Sequence, residues 1–332
     1  MRKTEGTMLL TRKDVAAVLT IEECIAANER VFKLYGEGKT APPGILGVHA
    51  TDGGFHIKAG LLDLERSYFA AKINANFPEN PKRLCLPTIQ GLVVLCDGEY
   101  GSPLAVMDSI EITIQRTGAA TAVAAKCLAK PDSKTITICG CGNQGTVSVR
   151  TLANVFVLEK VFAYDVNAAQ THRFSNELSN ELGIEVTAVE DLENAVGQSE
   201  IVVTCTPAKQ PFLEKRFIKP GTFIAAVGAD SEEKQELEGS LLAESKVVVD
   251  VLDQCASIGE LHHALQGKVM TPEEVHAELG EIIAGVKAGR TSADEIIIFD
   301  STGMALQDVI TATIIYEKAV KSGAGTVMEF AA

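Results

Sequence analysis

The segment 135–165 constrains the fold of this chain more than any other part of the sequence. The apolar run Thr135–Cys139 predicts a buried β-strand, and it leads directly into Gly140-Cys141-Gly142-Asn143-Gln144-Gly145. Residues Thr146–Leu158 then have the pattern of a helix, so the glycines occupy the turn of a strand–turn–helix unit. In such a unit the first glycine permits the tight turn, the second lets a pyrophosphate approach the backbone, and the third lets helix and strand pack closely. The helix N-terminus adds free N–H groups and a positive dipole end, so the segment predicts a dinucleotide site.

An acidic residue follows the next predicted strand, Lys160–Tyr164. Asp165 lies 25 residues beyond Gly140, which is near the spacing of the acid that binds ribose hydroxyls in dinucleotide-binding folds. A carboxylate at this position repels a 2′-phosphate and therefore favours NAD, with NADP as the alternative. The predicted cofactor contacts here are Gly140, Gly142, Asn143, Gln144, Gly145 and Asp165. The competing interpretation is a glycine-rich turn followed by an unrelated aspartate.

The order of strand-like and helix-like segments divides the chain into two domains, which agrees with its 332 residues. From residue 134 onward strands and helices alternate, which is typical of a doubly wound α/β fold whose parallel sheet is covered on both faces. The earlier part has an α+β pattern with a long helix over Ile112–Lys130, which Pro131 ends. We predict a Rossmann domain over 131–303. Residues 1–130, together with a final helix in 304–332, are predicted to form a smaller α+β domain.

Composition and charge argue against several classes of function. The chain carries a formal net charge of −14, whereas a general nucleic-acid binder normally needs a basic face. No apolar run reaches the roughly 18 residues that a membrane span requires, and Met1–Glu5 contains no apolar signal core. The eight cysteines form no CxxC pair. We therefore predict free thiols, no metal site, and a cytoplasmic protein without nucleic-acid or membrane partners.

Five further stretches carry a likeness to a known family. They are Ala71–Asn74 with Pro78 and Asn80-Pro81, Leu86–Thr88, Arg116–Ala120, Ala226–Asp230, and Phe299–Gly303. With the glycine loop, they make the chain resemble the ornithine cyclodeaminase/mu-crystallin family over almost its whole length. Lys234–Leu237, Val275-His276 and Gly280-Glu281 are most similar to its archaeal alanine dehydrogenase and ketimine reductase branch.

The resemblance implies a fold, a set of partners and several site residues. It implies a Rossmann domain, a dimerising substrate domain and an active site between them, in a homodimer that binds an amino acid, a keto acid or an imine. Lys72 matches the substrate lysine of the family, and Asp230 matches its acid–base aspartate. Arg116 and Thr117 match an Arg-Thr pair that contacts the substrate carboxylate or a cofactor phosphate.

The residue types agree with these roles, but each also has a simpler interpretation. A lysine in an apolar strand can bind a carboxylate or lose its proton and act as a base, although Lys72 could instead face water at a sheet edge. An arginine can grip a carboxylate with two parallel bonds, although Arg116 could pair with an acid at the surface. Asp230 follows a strand, where ligands of open α/β sheets bind, although it could instead cap a helix.

The ends of other predicted strands supply further candidates for cofactor contacts. These residues are Thr204, Thr206, Pro207, Val227, Ser301 and Gly303. Ordinary turn chemistry at strand ends explains the same residue types, so both interpretations stay open.

Two positions depart from the cyclodeaminase members of the family. Those members carry an arginine near position 45 and a glutamate at position 56, where this chain has Ile45 and His56. That glutamate assists deamination and ring closure, so its absence disfavours cyclodeamination. His56 and Lys58 are predicted to serve as alternative substrate ligands, although a single strand histidine is more often structural.

Together these residues predict an NAD(P)-dependent oxidoreductase that acts on the C–N bond of an α-amino acid or its imine. It would resemble either alanine dehydrogenase or a cyclic ketimine reductase such as pyrroline-2-carboxylate reductase. One alternative is ornithine cyclodeaminase, a lyase that recycles NAD within each turnover and releases proline and ammonia. The other is a non-catalytic binder of small molecules like mu-crystallin, which lacks the acid that Asp230 matches.

Overall fold

The structure is a computed structural model and describes residues 6–330. The segment Met1–Glu5, in which no signal core is predicted, lies outside the described residues. The strands are β1 Thr7–Leu10, β2 Gly44–Ala50, β3 Gly53–Asp63, β4 Ser67–Asn76, β5 Ile89–Asp97, β6 Pro103–Asp108, β7 Thr135–Cys139, β8 Lys160–Tyr164, β9 Glu185–Ala188, β10 Ile201–Thr204, β11 Lys209–Leu213, β12 Phe223–Ala226, β13 Gln235–Leu237, β14 Lys246–Val249, β15 Ala277–Glu278, β16 Ile297–Asp300 and β17 Thr326–Met328. The helices are α1 Arg12–Val18, α2 Ile21–Gly36, α3 Asn80–Leu84, α4 Ser109–Leu128, α5 Asn143–Val155, α6 Ala168–Leu182, α7 Leu192–Gln198, α8 Gly239–Ala243, α9 Leu252–Ile258, α10 Glu260–Gln266, α11 Leu279–Ile283 and α12 Ala305–Ser322.

The chain divides into two compact units. Unit 1 comprises the chain up to Val31, Gly38–Arg116 and the part from Met304 onward, and unit 2 comprises Phe32–Glu37 and Thr117–Gly303. The boundary between the units therefore falls inside α4, between Arg116 and Thr117. The boundary predicted from the sequence lies later, between residues 130 and 131, just beyond the end of α4. The roles predicted for the two domains stay predictions.

Packing explains why α4 changes unit partway along its length. The Thr151 hydroxyl of α5 donates a hydrogen bond of 2.9 Å to the carbonyl of Gly118. A Cβ at Gly118 would lie 2.8 Å from a methyl group of Val147, so the second half of α4 packs tightly on α5. Pro131 explains where a helix ends, but side-chain contacts decide which unit its turns join.

Unit 2 contains the predicted Rossmann fold. Its eight-stranded sheet has the order β15-β14-β16-β12-β10-β7-β8-β9, and every pair is parallel. All residues of β10, β12 and β16 are buried. Because successive strand residues point to opposite faces, both faces of the sheet are covered. The α/β, doubly wound prediction is therefore confirmed. The two-stranded sheet of β11 and β13 was not predicted.

The strand order creates a switch point beside the glycine loop. From β7 the chain continues to β8 and β9 on one side, and then returns to β10 on the other side. Since all the strands are parallel, their carboxyl ends lie at one edge of the sheet. In open α/β sheets, ligands bind outside that edge and at such a switch point.

Unit 1 contains a seven-stranded sheet in the order β17-β1-β6-β5-β4-β3-β2, in which only the β1–β6 pair is parallel. Helix α12 packs closely on one face, since a Cβ at Gly60 of β3 would lie 2.8 Å from Leu306. We call this the inner face. Along β4, Tyr68, Ala70 and Lys72 are buried while Ile73 is exposed.

The structure also shows the state of the cysteines and the character of the helices. All eight cysteines are free thiols. Across the described range 6–330, none of the helices combines the length and apolar character needed to cross a membrane.

Candidate active site

Four charged side chains meet on the inner face of unit 1. Lys58 of β3 and Lys72 of β4 lie directly opposite each other in register. The Lys72 Nζ lies 2.8 Å from both carboxylate oxygens of Asp308 in α12, and the Arg116 Nε of α4 lies 3.2 Å from Asp308 Oδ1. All four side chains are buried. Two cations, Lys72 and Arg116, thus share one carboxylate.

Burial and charge both act on the protonation of this cluster. Burial, reinforced by repulsion from Arg116 and Lys58, lowers the pKa of Lys72 to about 7, although Asp308 opposes the shift. Burial alone would raise the pKa of Asp308, but attraction to Lys72 and Arg116 is stronger and holds it below its ordinary value. Lys72 can therefore exchange a proton near neutral pH, whereas Asp308 stays ionised.

The structure decides between the interpretations of two predicted substrate residues. Lys72 does not face water at a sheet edge, because β4 lies between β3 and β5 and the residue is only 3% exposed. Arg116 is not a surface arginine, because it is buried and pairs with Asp308. His56 lies opposite Asn74 in the strand pair, on the same inner face as Lys58. The roles of these four residues as substrate ligands stay predictions.

Asp308 was not identified from the sequence. It lies in the first turns of α12, where Leu306, Gln307 and Val309 are also fully buried. An ionisable residue within a helix segment buried on all sides needs a charged partner. That signal was present in the apolar run of the final helix, but the partner, Lys72, is 236 residues away in sequence.

The glycine loop of unit 2 has the geometry that the sequence predicted. Gly140 has a φ of +108°, and a Cβ there would lie 2.9 Å from the Cys205 carbonyl oxygen. A Cβ at Gly145 would lie 2.1 Å from the carbonyl oxygen of Gly140, whereas one at Gly142 would meet no atom within 4 Å. The space above Gly142 is therefore open at the N-terminus of α5, where Asn143 and Gln144 begin the first turn.

Asp165 is held beside this loop by its own hydrogen bonds. Its Oδ2 accepts from the N–H of Cys141 at 2.9 Å, and its Oδ1 accepts from the N–H of Asn167 at 2.9 Å. A cavity of about 140 Å³ adjoins the loop and is lined in part by Gly142, Asn143 and Arg173. An anion and a ribose diol both match this combination of open N–H groups and an oriented carboxylate.

The other predicted cofactor residues also lie at the carboxyl edge of the sheet. Thr206, Pro207 and Val227 follow β10 and β12, and Ser301 and Gly303 follow β16. Thr204 ends β10 with its side chain fully buried, and Thr117 is buried in α4. Because the strands are parallel, these strand-end residues lie at the same edge of the sheet as Gly140 and Asp165. Thr117 does not lie at a strand end, because it belongs to helix α4.

Two buried carboxylates hold these strand-end segments. Asp250 Oδ2 accepts from the Ser301 hydroxyl at 3.0 Å and from the Gly303 N–H at 2.6 Å. Glu236 Oε1 accepts from the N–H and the hydroxyl of Thr206 at 2.6 and 2.7 Å. These polar groups therefore make turn interactions within the protein, and their contacts with a cofactor stay predictions. Asp250 was not predicted from the sequence, and Glu236 was named only within the family-like stretch Lys234–Leu237, without a role.

Asp230 occupies a loop between β12 and β13. It does not cap a helix, because residues 231–233 form a turn that leads into β13. Its Oδ1 lies 2.5 Å from Lys234 Nζ, and half of its side-chain surface is exposed. A carboxylate that is paired but accessible is suited to proton transfer with a ligand.

A sequence profile of the ornithine cyclodeaminase/mu-crystallin family matches residues 5–323. The chain belongs to this family. The match covers both structural units, which agrees with the motifs found in each of them. The family assignment made from the glycine loop and the five shorter stretches is therefore confirmed.

Several family members are similar over their whole length. Alanine dehydrogenase of Archaeoglobus fulgidus is 37% identical over 324 residues, which cover 98% of each chain. A solved archaeal alanine dehydrogenase dimer with bound NAD has a TM-score of 0.93 at 37% identity, covering 98% of this chain and 99% of that one. The Δ1-pyrroline-2-carboxylate reductase of Thermococcus litoralis, solved with NADH and L-proline, has a TM-score of 0.92 at 35% identity, covering 97% and 100%.

Proposed function

We propose that this family member is an NAD-dependent oxidoreductase that acts on the C–N bond of an α-amino acid or its imine. The observation that carries the proposal is the buried Lys72–Asp308–Arg116 cluster. Its two cations share one carboxylate, so a further anionic group would complete their pairing. Amino acids and the imines derived from them share an α-carboxylate, which is a group of this kind. The activities named for the relatives above support the same substrate class.

The residues of unit 2 fit NAD. The open N–H groups at Gly142 and Asn143 would hold the pyrophosphate, and Asp165 would hold the ribose hydroxyls. When bound, NAD supplies hydride exchange at its nicotinamide ring. The relatives solved with NAD and NADH support this cofactor.

The protein residues would bind the substrate and move its proton. Lys72 and Arg116 would hold the α-carboxylate, which fixes the position of the α-carbon. Asp230 would donate a proton to the substrate nitrogen in reduction and accept one in oxidation.

A substrate screen with NADH tests the proposal. We expect purified protein to consume NADH with pyruvate plus ammonia, with pyrroline-2-carboxylate, or with a related imine, measured as loss of NADH absorbance. A parallel incubation with ornithine and NAD, analysed for proline, separates reduction from cyclodeamination. Conversion of ornithine to proline without activity on any imine would contradict the proposed function.

Replacing Asp165 with serine should weaken the preference for NADH over NADPH. The substitution removes the charge that repels a 2′-phosphate and leaves Arg173, which lines the same cavity, available to an anion. We expect the ratio of kcat/KM for NADH to that for NADPH to fall about tenfold or more, since one lost charge interaction is worth roughly 1.5–3 kcal/mol. Steady-state kinetics with both cofactors measures this ratio.

Asp191→Asn provides the matched control. Asp191 also lies in a loop of unit 2 and accepts a local N–H bond, from Asn194 at 3.0 Å, but it begins α7 away from the glycine loop. Its substitution should leave the cofactor preference unchanged. An unaltered preference in Asp165→Ser would remove the assignment of Asp165.

We also propose a homodimer that forms through the outer face of the unit 1 sheet. Leu46, Ile57, Ile73 and Leu92 form one row across four strands. Leu46, Ile73 and Leu92 are 56%, 42% and 52% exposed. A contiguous apolar row of this kind is typical of a protein interface, and one similar structure is a dimer.

We also propose a cytoplasmic location for the protein, which the free thiols support.

Ile73→Glu is expected to shift the protein from dimer to monomer. A buried, unpaired carboxylate in the middle of the row would destabilise the interface. Light scattering after size-exclusion chromatography measures the mass. Val157→Glu is the control, since Val157 of unit 2 is 83% exposed. A dimer that persists in Ile73→Glu would place the interface elsewhere.

A further inference from the structure

A fully buried glutamate connects two of the strand-end loops in unit 2. Glu236 lies in β13 and is 0% exposed. Its Oε1 accepts from the N–H and the hydroxyl of Thr206 at 2.6 and 2.7 Å, and its Oε2 accepts from the N–H of Gly228 at 3.1 Å. Thr206 follows β10, and Gly228 follows β12. One carboxylate therefore fixes the distance between these two loops.

The surrounding backbone fits this carboxylate closely. A Cβ at Gly228 would lie 2.5 Å from Glu236 Oε2, so a larger residue there would displace the carboxylate. The N–H groups of Glu236 and Leu237 donate to the buried Glu260 carboxylate at 2.7 and 3.1 Å. Both the side chain and the backbone of Glu236 are therefore held in place.

Stability alone is a weak explanation for a charge in this position. Burial raises the pKa of Glu236, against the hydrogen bonds from Thr206 and Gly228. A buried ionised group is often replaceable by a well-packed apolar residue without loss of stability. An apolar residue cannot accept the three hydrogen bonds that Glu236 receives from the Thr206 and Gly228 loops. Glu236 therefore sets the geometry of these two loops.

We propose that Glu236 is a positioning residue for the acid–base group of this enzyme. Asp230 lies two residues beyond Gly228, on the loop that Glu236 holds. By tying that loop to the Thr206 loop, Glu236 fixes the direction in which the Asp230 carboxylate meets the substrate nitrogen. The inference rests on the proposed function, in which Asp230 moves the proton on that nitrogen.

The Glu236→Gln variant tests this role. An amide has one acceptor oxygen, so its NH2 group must oppose an N–H donor on one of the two loops. We expect kcat for imine reduction to fall about 10- to 100-fold, since a small misplacement of a catalytic group has an effect of that size. The KM for NADH should change by a smaller factor than kcat, because the glycine loop is unaltered, even though the predicted cofactor contacts Thr206 and Val227 lie on the displaced loops. Gly228→Ala, which displaces the carboxylate but keeps its charge, should produce the same separation of kcat from KM.

Glu295→Gln is a control for loss of a largely buried carboxylate, since the Glu295 side chain is 20% exposed. Glu295 accepts from the N–H and the hydroxyl of Thr291 at 2.8 and 2.7 Å and from the N–H of Ser292 at 3.1 Å. Glu295 thus accepts from two N–H groups and one hydroxyl, as Glu236 does, and it also pairs with Lys246. It lies before β16, at the amino edge of the sheet. We expect this variant to melt at a lower temperature and to keep the wild-type kcat at temperatures where it is folded.

Three outcomes decide the inference. Wild-type kcat in folded Glu236→Gln, or an equal loss in Glu295→Gln, would overturn the positioning role. If Glu236→Gln fails to fold, Gly228→Ala decides by the same comparison of kcat with KM. A wild-type protein inactive on every imine would contradict the proposed function itself. In that case, faster amide hydrogen exchange at Thr206 and Gly228 in Glu236→Gln would still show that Glu236 holds the loops.

Discussion

Replacing Lys72 with methionine is expected to abolish imine reduction and to leave the folded protein at least as stable as the wild type. Activity should fall because the α-carboxylate loses one of its two proposed cations, and we expect a decrease in kcat/KM of about 100-fold or more. The fold should tolerate the change because Arg116 remains paired with Asp308 and the repulsion of Lys72 by Arg116 and Lys58 is removed. Methionine also fills the volume of the lysine stem.

The stability of this variant relative to the wild type should depend on pH. Burial lowers the pKa of Lys72 from 10.5 to about 7, so between these values the unfolded chain binds a proton that the folded protein does not. The folded wild type is therefore destabilised, fully so below pH 7, and this effect disappears as the pH rises through 10.5. We expect Lys72→Met to raise the melting temperature most at or below neutral pH and least near pH 10.

Melting curves and pH profiles of kcat/KM measure both parts of this prediction. In the wild type, kcat/KM should fall above pH 7 as the Lys72 ammonium loses its proton. Lys72→Arg keeps the positive charge at every accessible pH, so its residual activity should lack this fall. Nearly full activity in Lys72→Met, or the same alkaline fall in Lys72→Arg, would contradict the assignment of Lys72.

Asp230→Asn is expected to reduce kcat by about 100- to 10,000-fold, which is the usual contribution of a general acid–base group. The asparagine has the same shape but cannot exchange the proton, so KM for the imine and for NADH should change little. Folding should be almost unaffected, because half of the Asp230 side chain is exposed and a surface ion pair with Lys234 contributes little stability. Single-turnover measurements with NADH isolate the chemical step.

Lys234→Met is the control for the ion pair that Asp230→Asn also removes. If Asp230→Asn lost activity only because Lys234 had no partner, Lys234→Met alone would stay active. The double variant Asp230→Asn/Lys234→Met would then recover activity. If the loss reflects the missing acid, the double variant should be as slow as Asp230→Asn alone. Unchanged turnover in Asp230→Asn would exclude Asp230 as the acid–base residue.

The elements around the cofactor loop could be predicted because their causes are local. Strands β7 and β8 have the predicted bounds, since short apolar runs bounded by turns specify buried strands. The tasks of Gly140 and Gly145 followed from their order in the loop, and the structure shows the close approaches that require them. In contrast, β2 was not predicted, and all of its residues are exposed, so it does not contribute to the core as β7 and β8 do.

The candidate site was only partly accessible to sequence reasoning. Lys72, Arg116 and Asp230 were selected through family resemblance, because a lysine or an aspartate in isolation carries no local signal of function. Asp308 was not identified, and Glu236 was named without a role. Their significance depends on partners that are distant in sequence, and no periodicity or spacing encodes such partners.

The sequence by itself determined the family, the parallel sheet and the dinucleotide loop, since each depends on residues that are neighbours along the chain. Only the tertiary structure decided that Lys72 points inward while Ile73 points outward, because the direction of a strand residue depends on which face other elements cover. Packing of α12 on that face places Asp308 beside Lys72, and desolvation there lowers the pKa of the lysine. Burial and charge pairing are properties of the assembled fold, and they convert an ordinary strand lysine into a group that can bind or release a proton near pH 7.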